Sequence, residues 1–391
     1  MSDPQGPRRR WLNSARLPAP IDVPARIAGF EDVRLTAEQA EDSLDAAADR
    51  LALPRSIWAR EDFNILAISG GAAGGAFGAG VLAGMTRAGR RPNFAIVTGV
   101  STGALIAPFA FLGPEWDERM IDAYTGGYAS KMLSISRLGG AFSGALFRTE
   151  ALESLISPFV DEAMIDAVAA QHALGRRLLV ATTDLDRQRT CIWDMGAIAT
   201  RGGEAAVSLF RDVLVASSSL PGIFPPRRFV CEHEGALYEE MHADGGVSTP
   251  LFVMPDALLR WNKLGRRLQR GRVYVLVNTM LDQAPRTTPT GLPSVLVRSF
   301  DTMLRYSYRQ ALEVAGAYCA SHSLPLSVAS IPPQPDGASM MNFDTAAMRR
   351  MFEQAAELAG TDQLWSTPIP QDTLTELIET FRGRFRGLTP Q

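Results

Sequence analysis

The sequence predicts an α/β fold with three layers, α/β/α, built on a largely parallel open sheet. Two observations lead to this prediction. The apolar runs at 63–69 and 94–99 are short and lead into glycines, which is typical of buried parallel strands. Each run is followed by a glycine turn and then by a stretch of small or apolar residues with helical character. Strands and helices that alternate in this way form βαβ crossovers.

The remaining elements follow in chain order. Thr36 and Gln39 form a capping box for a peripheral helix, which ends at Pro54. Further strands are predicted at 176–185, 190–194 and 272–280, and helices at 74–89, 103–112, 149–173, 203–216 and 292–320. Two more helices are predicted from Phe343 onward.

These elements divide the chain into three predicted parts. Residues 1–60 form an N-terminal arm, rich in proline and arginine and poorly ordered to about residue 30, followed by the peripheral helix. Residues 61–330 form one α/β domain, because no repeat or long linker interrupts them. Residues 331–391 form a C-terminal helical extension that packs on this domain.

Composition and charge exclude several classes of protein. The chain has 391 residues, of which 46% are hydrophobic and 21% charged, as in ordinary globular proteins. Its net charge of -3 offers no overall attraction to phosphate backbones, which argues against nucleic acid as a partner. The three cysteines lack C-x-x-C spacing, which argues against a disulfide framework and a zinc site.

The N-terminus and the longest apolar run indicate where in the cell the protein is expected. No apolar segment follows the arginines at 8–10, so no export signal is recognised and a cytoplasmic location is expected. The run at 95–112 approaches the length of a membrane span, but glycine and proline interrupt it. A buried strand, a turn and a packed helix explain this run better.

A glycine-rich loop, S-G-G-A-A-G-G at 69–75, joins the first predicted strand to its helix. A phosphate-binding P-loop would need Lys followed by Ser or Thr, but Ala76 and Phe77 stand after the last glycine. A dinucleotide fingerprint would need an acidic residue about 20 positions later, and none occurs between Asp62 and Glu115. Both nucleotide interpretations are therefore rejected.

The third interpretation of this loop is an oxyanion hole. The amides of Gly70, Gly71 and Ala72 would donate to the negative charge that develops on a carbonyl oxygen during acyl transfer. Glycine suits this role because the backbone must approach the substrate closely. Tight packing of a helix on a strand also explains some of these glycines.

Ser101 lies in a Gly-x-Ser-x-Gly frame, T-G-V-S-T-G-A at 98–104, between the second strand and its helix. Its hydroxyl would stand at the carboxyl end of the sheet, where open α/β folds bind their ligands. This placement makes Ser101 a candidate nucleophile. A serine hydroxyl is a weak nucleophile, however, and needs a base.

Two candidates for the base remain open on the residues alone. A Ser-His-Asp triad would take its histidine late in the chain, which points to His322. A carboxylate could act without histidine, which points to Asp244 in M-H-A-D-G-G-V at 241–247. The D-G-G segment is also an ordinary turn sequence.

Four segments in this order resemble the patatin-like phospholipase family: I-S-G-G-A-A-G-G-A-F-G-A-G-V-L (68–82), T-G-V-S-T-G-A-L (98–105), A-S-S-S-L-P-G-I-F-P-P (216–226) and A-D-G-G-V (243–247). That family uses a Ser-Asp dyad without histidine. The resemblance implies a patatin-like α/β fold, Ser101 as nucleophile and Asp244 as base. The family loop commonly reads G-G-G-x-R-G, whereas this chain has Ala72 for the third glycine and Gly74 for the arginine. A positive charge is therefore missing beside the site.

The resemblance also implies a function. It is that of a serine lipid acyl hydrolase, of phospholipase A, lysophospholipase or esterase type, which needs no metal and no organic cofactor. An acyl lipid or phospholipid substrate would bring the protein into peripheral contact with a membrane. The alternatives are an acyltransferase, a hydrolase with a triad that includes His322, and an inactive lipid-binding or interaction module.

Overall fold

The computed structural model describes residues 26–36, 64–136, 147, 149–253, 271–282, 287–321, 323–333 and 342–366. The ten strands of these segments form one sheet. They are β1 (Arg26–Ile27), β2 (Arg34–Thr36), β3 (Asn64–Ile68), β4 (Phe94–Val100), β5 (Arg177–Asp184), β6 (Arg189–Asp194), β7 (Arg227–His233), β8 (Ala236–Asp244), β9 (Val273–Val277) and β10 (Leu326–Ser330).

The centre of the sheet is parallel. Strands β10, β9, β3, β4 and β5 lie side by side in this order, each parallel to its neighbours. All five β3 residues are buried, because helices cover both faces of the sheet. Leu66 and Ile68 face one apolar core, and Ile65 and Ala67 face the other. The predicted three-layer α/β/α class is thereby confirmed.

Beyond β5 the sheet becomes antiparallel, which the sequence analysis did not anticipate. Strand β8 pairs with β5 and β7, β7 also pairs with β1, and β6 pairs with β5 and β2. Strands β7 and β8 form a hairpin, whose two-residue turn holds Glu234 and Gly235 at positive φ of 49° and 76°. This is the backbone pattern of a tight hairpin turn. The sheet is therefore mixed, with a parallel centre.

Ten helices are described. They are α1 (Gly75–Arg87), α2 (Thr102–Leu112), α3 (Asp117–Thr125), α4 (Tyr128–Ser136), α5 (Thr149–Ile156), α6 (Glu162–Ala173), α7 (Met195–Thr200), α8 (Gly203–Ser217), α9 (Leu292–Ser321) and α10 (Thr345–Ala359). The helices predicted at 74–89, 103–112, 149–173, 203–216 and 292–320 are confirmed, the third as two helices. Helices α1, α2 and α8 contribute to one core and α9 to the other.

The two ends of the chain add to this framework. The described part of the N-terminal arm, residues 26–36, contributes β1 and β2 to the sheet, although it was expected to be poorly ordered to about residue 30. Its backbone hydrogen bonds to β7 and β6 hold it there. The predicted peripheral helix and the second C-terminal helix lie outside the described residues. The three domain limits stay predictions.

Helix α10 packs on α1 through close backbone contact. A Cβ atom added at Gly80 would lie 2.3 Å from the carbonyl oxygen of Phe352, and one at Gly84 would lie 2.3 Å from that of Ala356. Only glycine permits this approach. The described helices include none with both the length and the apolar character that a membrane crossing requires.

Candidate active site

Ser101 lies on a strained turn between β4 and α2. Its φ is 55° and its ψ is -126°, a conformation that L-residues rarely adopt and that carries a free-energy cost of about 1–3 kcal/mol. The Ser101 N–H donates to the Ser217 hydroxyl at 3.0 Å, and this hydroxyl donates to the Ala181 carbonyl at 2.7 Å. The buried Ser217 thus links the turn to β5. The expected strand-to-helix placement of Ser101 is confirmed.

The two glycines of the serine frame are required by close packing. A Cβ atom on Gly99 would lie 2.7 Å from Ala104 Cα, and one on Gly103 would lie 2.3 Å from the Ile68 carbonyl oxygen. Both distances are shorter than real Cβ contacts. The turn can therefore sit against β3 and the start of α2 only without these side chains.

Asp244 ends β8 and faces Ser101. The Ser101 hydroxyl donates to Asp244 Oδ2 at 2.6 Å, and the Gly246 N–H donates to Asp244 Oδ1 at 2.7 Å. The backbone of Asp244 is fixed as well, since its N–H donates to Ser219 O and its carbonyl accepts from the Thr183 hydroxyl. The two candidate residues, 143 positions apart, are thus brought into direct contact.

Burial governs the charge of this carboxyl group. Asp244 is 3% exposed, and desolvation raises its pKa from 3.8 to about 6, while the hydrogen bonds from Ser101 and Gly246 oppose the rise. A carboxylate with a pKa near 6 is ionised at neutral pH and still basic enough to share a proton. This is the electrostatic behaviour that a general base needs.

The glycine loop is braced by residues that the sequence analysis did not single out. Asn278 follows β9, and its side chain accepts from Gly78 N–H at 3.0 Å and donates to Ser69 O at 2.8 Å. The Ser69 hydroxyl donates to Gly70 O at 2.7 Å and accepts from Asn278 N–H at 2.9 Å. A polar residue at the carboxyl end of a buried strand was the available sequence clue to Asn278.

The three predicted oxyanion amides differ in their hydrogen bonding. The Gly70 N–H donates to Pro250 O at 3.4 Å and is therefore engaged by the protein. The N–H groups of Gly71 and Ala72 have no acceptor within the described part of the chain. Gly71 has φ 152° and Ala72 has φ 50°, so both amides are set by backbone conformations that most residues avoid.

Gly74, which stands where the family commonly has arginine, has no room for a side chain. A Cβ atom there would lie 2.0 Å from the Asn278 carbonyl oxygen. Gly71 is constrained in the same way, with a Cβ distance of 1.9 Å to that oxygen. The loop therefore lies so close to Asn278 that an arginine at position 74 would not fit without a shift of the backbone.

Ser101, Asp244 and the loop line one cavity of about 590 Å³, a size that suits a small-molecule ligand. Apart from these groups the walls are mainly apolar. They include Leu105, Phe109, Met132, Leu152, Ile156, Phe159, Met164 and Leu214. Such walls suit a hydrocarbon chain better than a polar substrate.

Two further hydroxyl groups line the cavity. Ser218 is 8% exposed and its hydroxyl has no partner among the described residues. Tyr308 on α9 is buried, and burial raises the pKa of its phenol above the usual value, so the phenol keeps its proton. The sequence analysis gave neither residue a role, although Ser218 lies in the quoted segment 216–226.

Histidine is not part of the described site. None of the described histidines lines the cavity. His242 is fully buried, and its Nδ1 lies 2.8 Å from the Thr182 hydroxyl instead. His322 lies outside the described residues.

A second polar cluster lies on β5 and β8, where Asp184, Glu240 and His242 bring ligand-type atoms within 4.8 Å of one another. Both carboxylates already pair with arginine: Arg187 lies 2.8 Å from Asp184 and 2.6 Å from Glu240, and Arg34 also contacts Glu240. Burial alone would raise the pKa of Glu240, but the two arginines hold it well below its usual value. The guanidinium groups supply the positive charge that a cation would otherwise bring.

Comparison with known proteins places the site in a family. A family model described as patatin-like phospholipase matches residues 66–255, which include the glycine loop, Ser101 and Asp244. Among solved structures, that of VipD from Legionella pneumophila is similar, with 13% identity over 77% of this chain and 67% of that chain and a TM-score of 0.33. No curated protein matches the sequence. The family match supports lipid acyl hydrolysis as the general activity. Residues 66–255 are therefore a domain of the patatin-like phospholipase family.

Proposed function

We propose that this protein hydrolyses carboxylic esters of acyl lipids with Ser101 as nucleophile and Asp244 as general base. The observation that carries the proposal is the 2.6 Å hydrogen bond from the Ser101 hydroxyl to Asp244 at the wall of an apolar cavity. The cavity would hold the acyl chain, and its walls would keep bulk water from the carbonyl carbon. The substrate class is an acyl lipid, with contact at a membrane surface.

In the acylation step, Ser101 Oγ forms a bond to the ester carbonyl carbon while its proton passes to Asp244. The amides of Gly71 and Ala72 donate to the oxyanion, since neither is committed to an acceptor in the described protein. The bond to the alcohol then breaks, and the departing oxygen takes the proton from Asp244. Gly70 is the weaker third donor, because it would first have to release Pro250.

In the second step, Asp244 takes a proton from water as the water oxygen bonds to the acyl carbon. The bond to Ser101 Oγ breaks, the serine regains its proton from Asp244, and a fatty acid leaves. Both side chains thus return to their starting protonation states, and water supplies the atoms that the two products gain. No metal or organic cofactor enters the proposed reaction.

The direct test is hydrolysis of a nitrophenyl acyl ester together with labelling by a fluorophosphonate probe. We expect Ser101→Ala and Asp244→Asn each to lose turnover, and the probe to modify wild type at Ser101 alone. Asp282→Asn is the matched control, since the Asp282 side chain is 83% exposed on the surface. Undiminished turnover in either site variant would reject the dyad, and absence of labelling would favour a binding-only module.

Two further experiments test the acyltransferase and the histidine-containing triad. An added lysolipid would appear as acylated product if the acyl-enzyme preferred an alcohol to water. His322→Ala should leave turnover unchanged, whereas a loss comparable to that of Ser101→Ala would favour a histidine-containing triad.

A further inference from the structure

Helix α9 exposes a row of large apolar side chains. Six of the nine exposed large hydrophobic residues among the described segments lie on this helix. They are Leu292, Val295, Leu296, Met303, Tyr306 and Val314. Successive members of this set are one, three, seven or eight positions apart, which places all six on one side of the helix. We call this side the outer stripe. Single exposed apolar residues are common, but a row of this kind indicates an interaction surface.

The neighbouring side of α9 forms part of the cavity wall. Phe300, Leu304 and Tyr308 line the cavity that holds Ser101. Leu296 belongs to both sides, since it lines the cavity and is 59% exposed. Apolar side chains therefore continue without a break from the outer stripe to the nucleophile.

The other flank of the outer stripe carries three arginines that pair with aspartates. Arg298, Arg305 and Arg309 follow one another at intervals of seven and four positions and share this flank. Asp301 pairs with the first two of them. Arg309 is 45% exposed and lies 2.9 Å from Asp282, which is itself open to solvent. A surface helix with an apolar face bordered by arginine has the pattern of an interfacial helix. The net charge of the chain, -3, offers no such attraction as a whole.

We propose that α9 is the docking surface for a phospholipid bilayer, with Leu292, Met303 and Tyr306 inserted among the lipids. A lipid would then leave the bilayer along Leu296 and Phe300 toward Ser101. The passage of substrate rests on the proposed function, whereas docking itself needs no catalysis. A second copy of the chain is the less suitable occupant, because it would cover the cavity entrance at Leu296.

The first test measures binding alone, by sedimentation of the whole chain with phosphatidylcholine vesicles that contain some phosphatidylglycerol. The Ser101→Ala background prevents turnover of the lipid. We expect this protein to sediment with vesicles and Met303→Glu to lower partitioning by about tenfold or more, since a large apolar side chain no longer enters the bilayer. Leu174→Glu is the matched control, at an apolar residue that is 41% exposed and outside the cavity. It should bind like its parent.

The second test separates docking from chemistry in the active protein. Met303→Glu should keep its turnover of a short, water-soluble nitrophenyl ester and lose about tenfold or more of its turnover of vesicle phospholipid. Undiminished vesicle binding by Met303→Glu would overturn the proposal, as would a dimer that this substitution converts to a monomer. Wild-type protein that binds vesicles through α9 but hydrolyses neither ester would reject the proposed function and leave the docking surface standing.

Discussion

Replacement of Asp244 by asparagine should abolish activity and stabilise the fold at the same time. Burial raises the pKa of Asp244 from 3.8 to about 6, so the folded protein binds this proton more tightly than the unfolded chain does. The stability contributed by the protonated carboxyl is fully present below pH 3.8 and is lost as the pH rises through about 6. A difference of about two pKa units corresponds to about 3 kcal/mol. Asparagine, which is neutral at every pH, avoids this loss.

The side-chain contacts allow the substitution. The asparagine carbonyl can accept from Gly246 N–H, and its NH₂ group can donate to the Ser101 hydroxyl oxygen, so neither buried partner is stranded. Urea unfolding should show Asp244→Asn more stable than wild type by about 3 kcal/mol near pH 8 and by about half of that near pH 5. Asp282→Asn, at an exposed carboxylate, is the control and should show no such difference.

Activity provides the matching measurement on the wild type. Because the base must be ionised, kcat/KM should fall on the acid side with an apparent pKa of about 6. One pH unit below that value, about one tenth of the maximum should remain. A stability gain of equal size at both pH values, or a less stable asparagine variant, would refute the electrostatic reasoning.

The remaining predictions concern packing and buried charge. Gly103→Ala should destabilise the protein by about 1–3 kcal/mol in urea unfolding, because its new methyl group meets a backbone carbonyl, whereas Gly291→Ala, which has open space, should not. Gly74→Arg restores the common family residue but should lower stability and esterase activity, since no Cβ atom fits there. Glu240→Gln should cost about 3–5 kcal/mol at neutral pH, because it removes the buried carboxylate that Arg34 and Arg187 share and leaves Asp184 to compensate Arg187 alone. An unfolding temperature of Glu240→Gln equal to that of the wild type would contradict this last expectation.

Much of the fold was predictable because its signals are local. A parallel strand that is covered on both faces is mainly apolar, and β3, β4 and the first half of β5 contain such apolar runs in the sequence. The β7–β8 hairpin was missed because its strands alternate buried and exposed residues irregularly and contain several charges. Strand β7 also pairs with β1, and β8 pairs with β5. These partners are far away in the sequence, so a local residue pattern cannot reveal the pairing.

By itself the sequence determined which atoms are available: a serine on a glycine-framed turn, a run of unobstructed amides and an aspartate before two glycines. Tertiary structure alone decided that Ser101 and Asp244 meet at 2.6 Å, that burial lifts the Asp244 pKa, and that Pro250 occupies the Gly70 amide. The physical reason is that residue type and backbone preference act over a few neighbouring positions. Proximity and desolvation, in contrast, arise only when β4 and β8 are packed into one sheet and covered by helices.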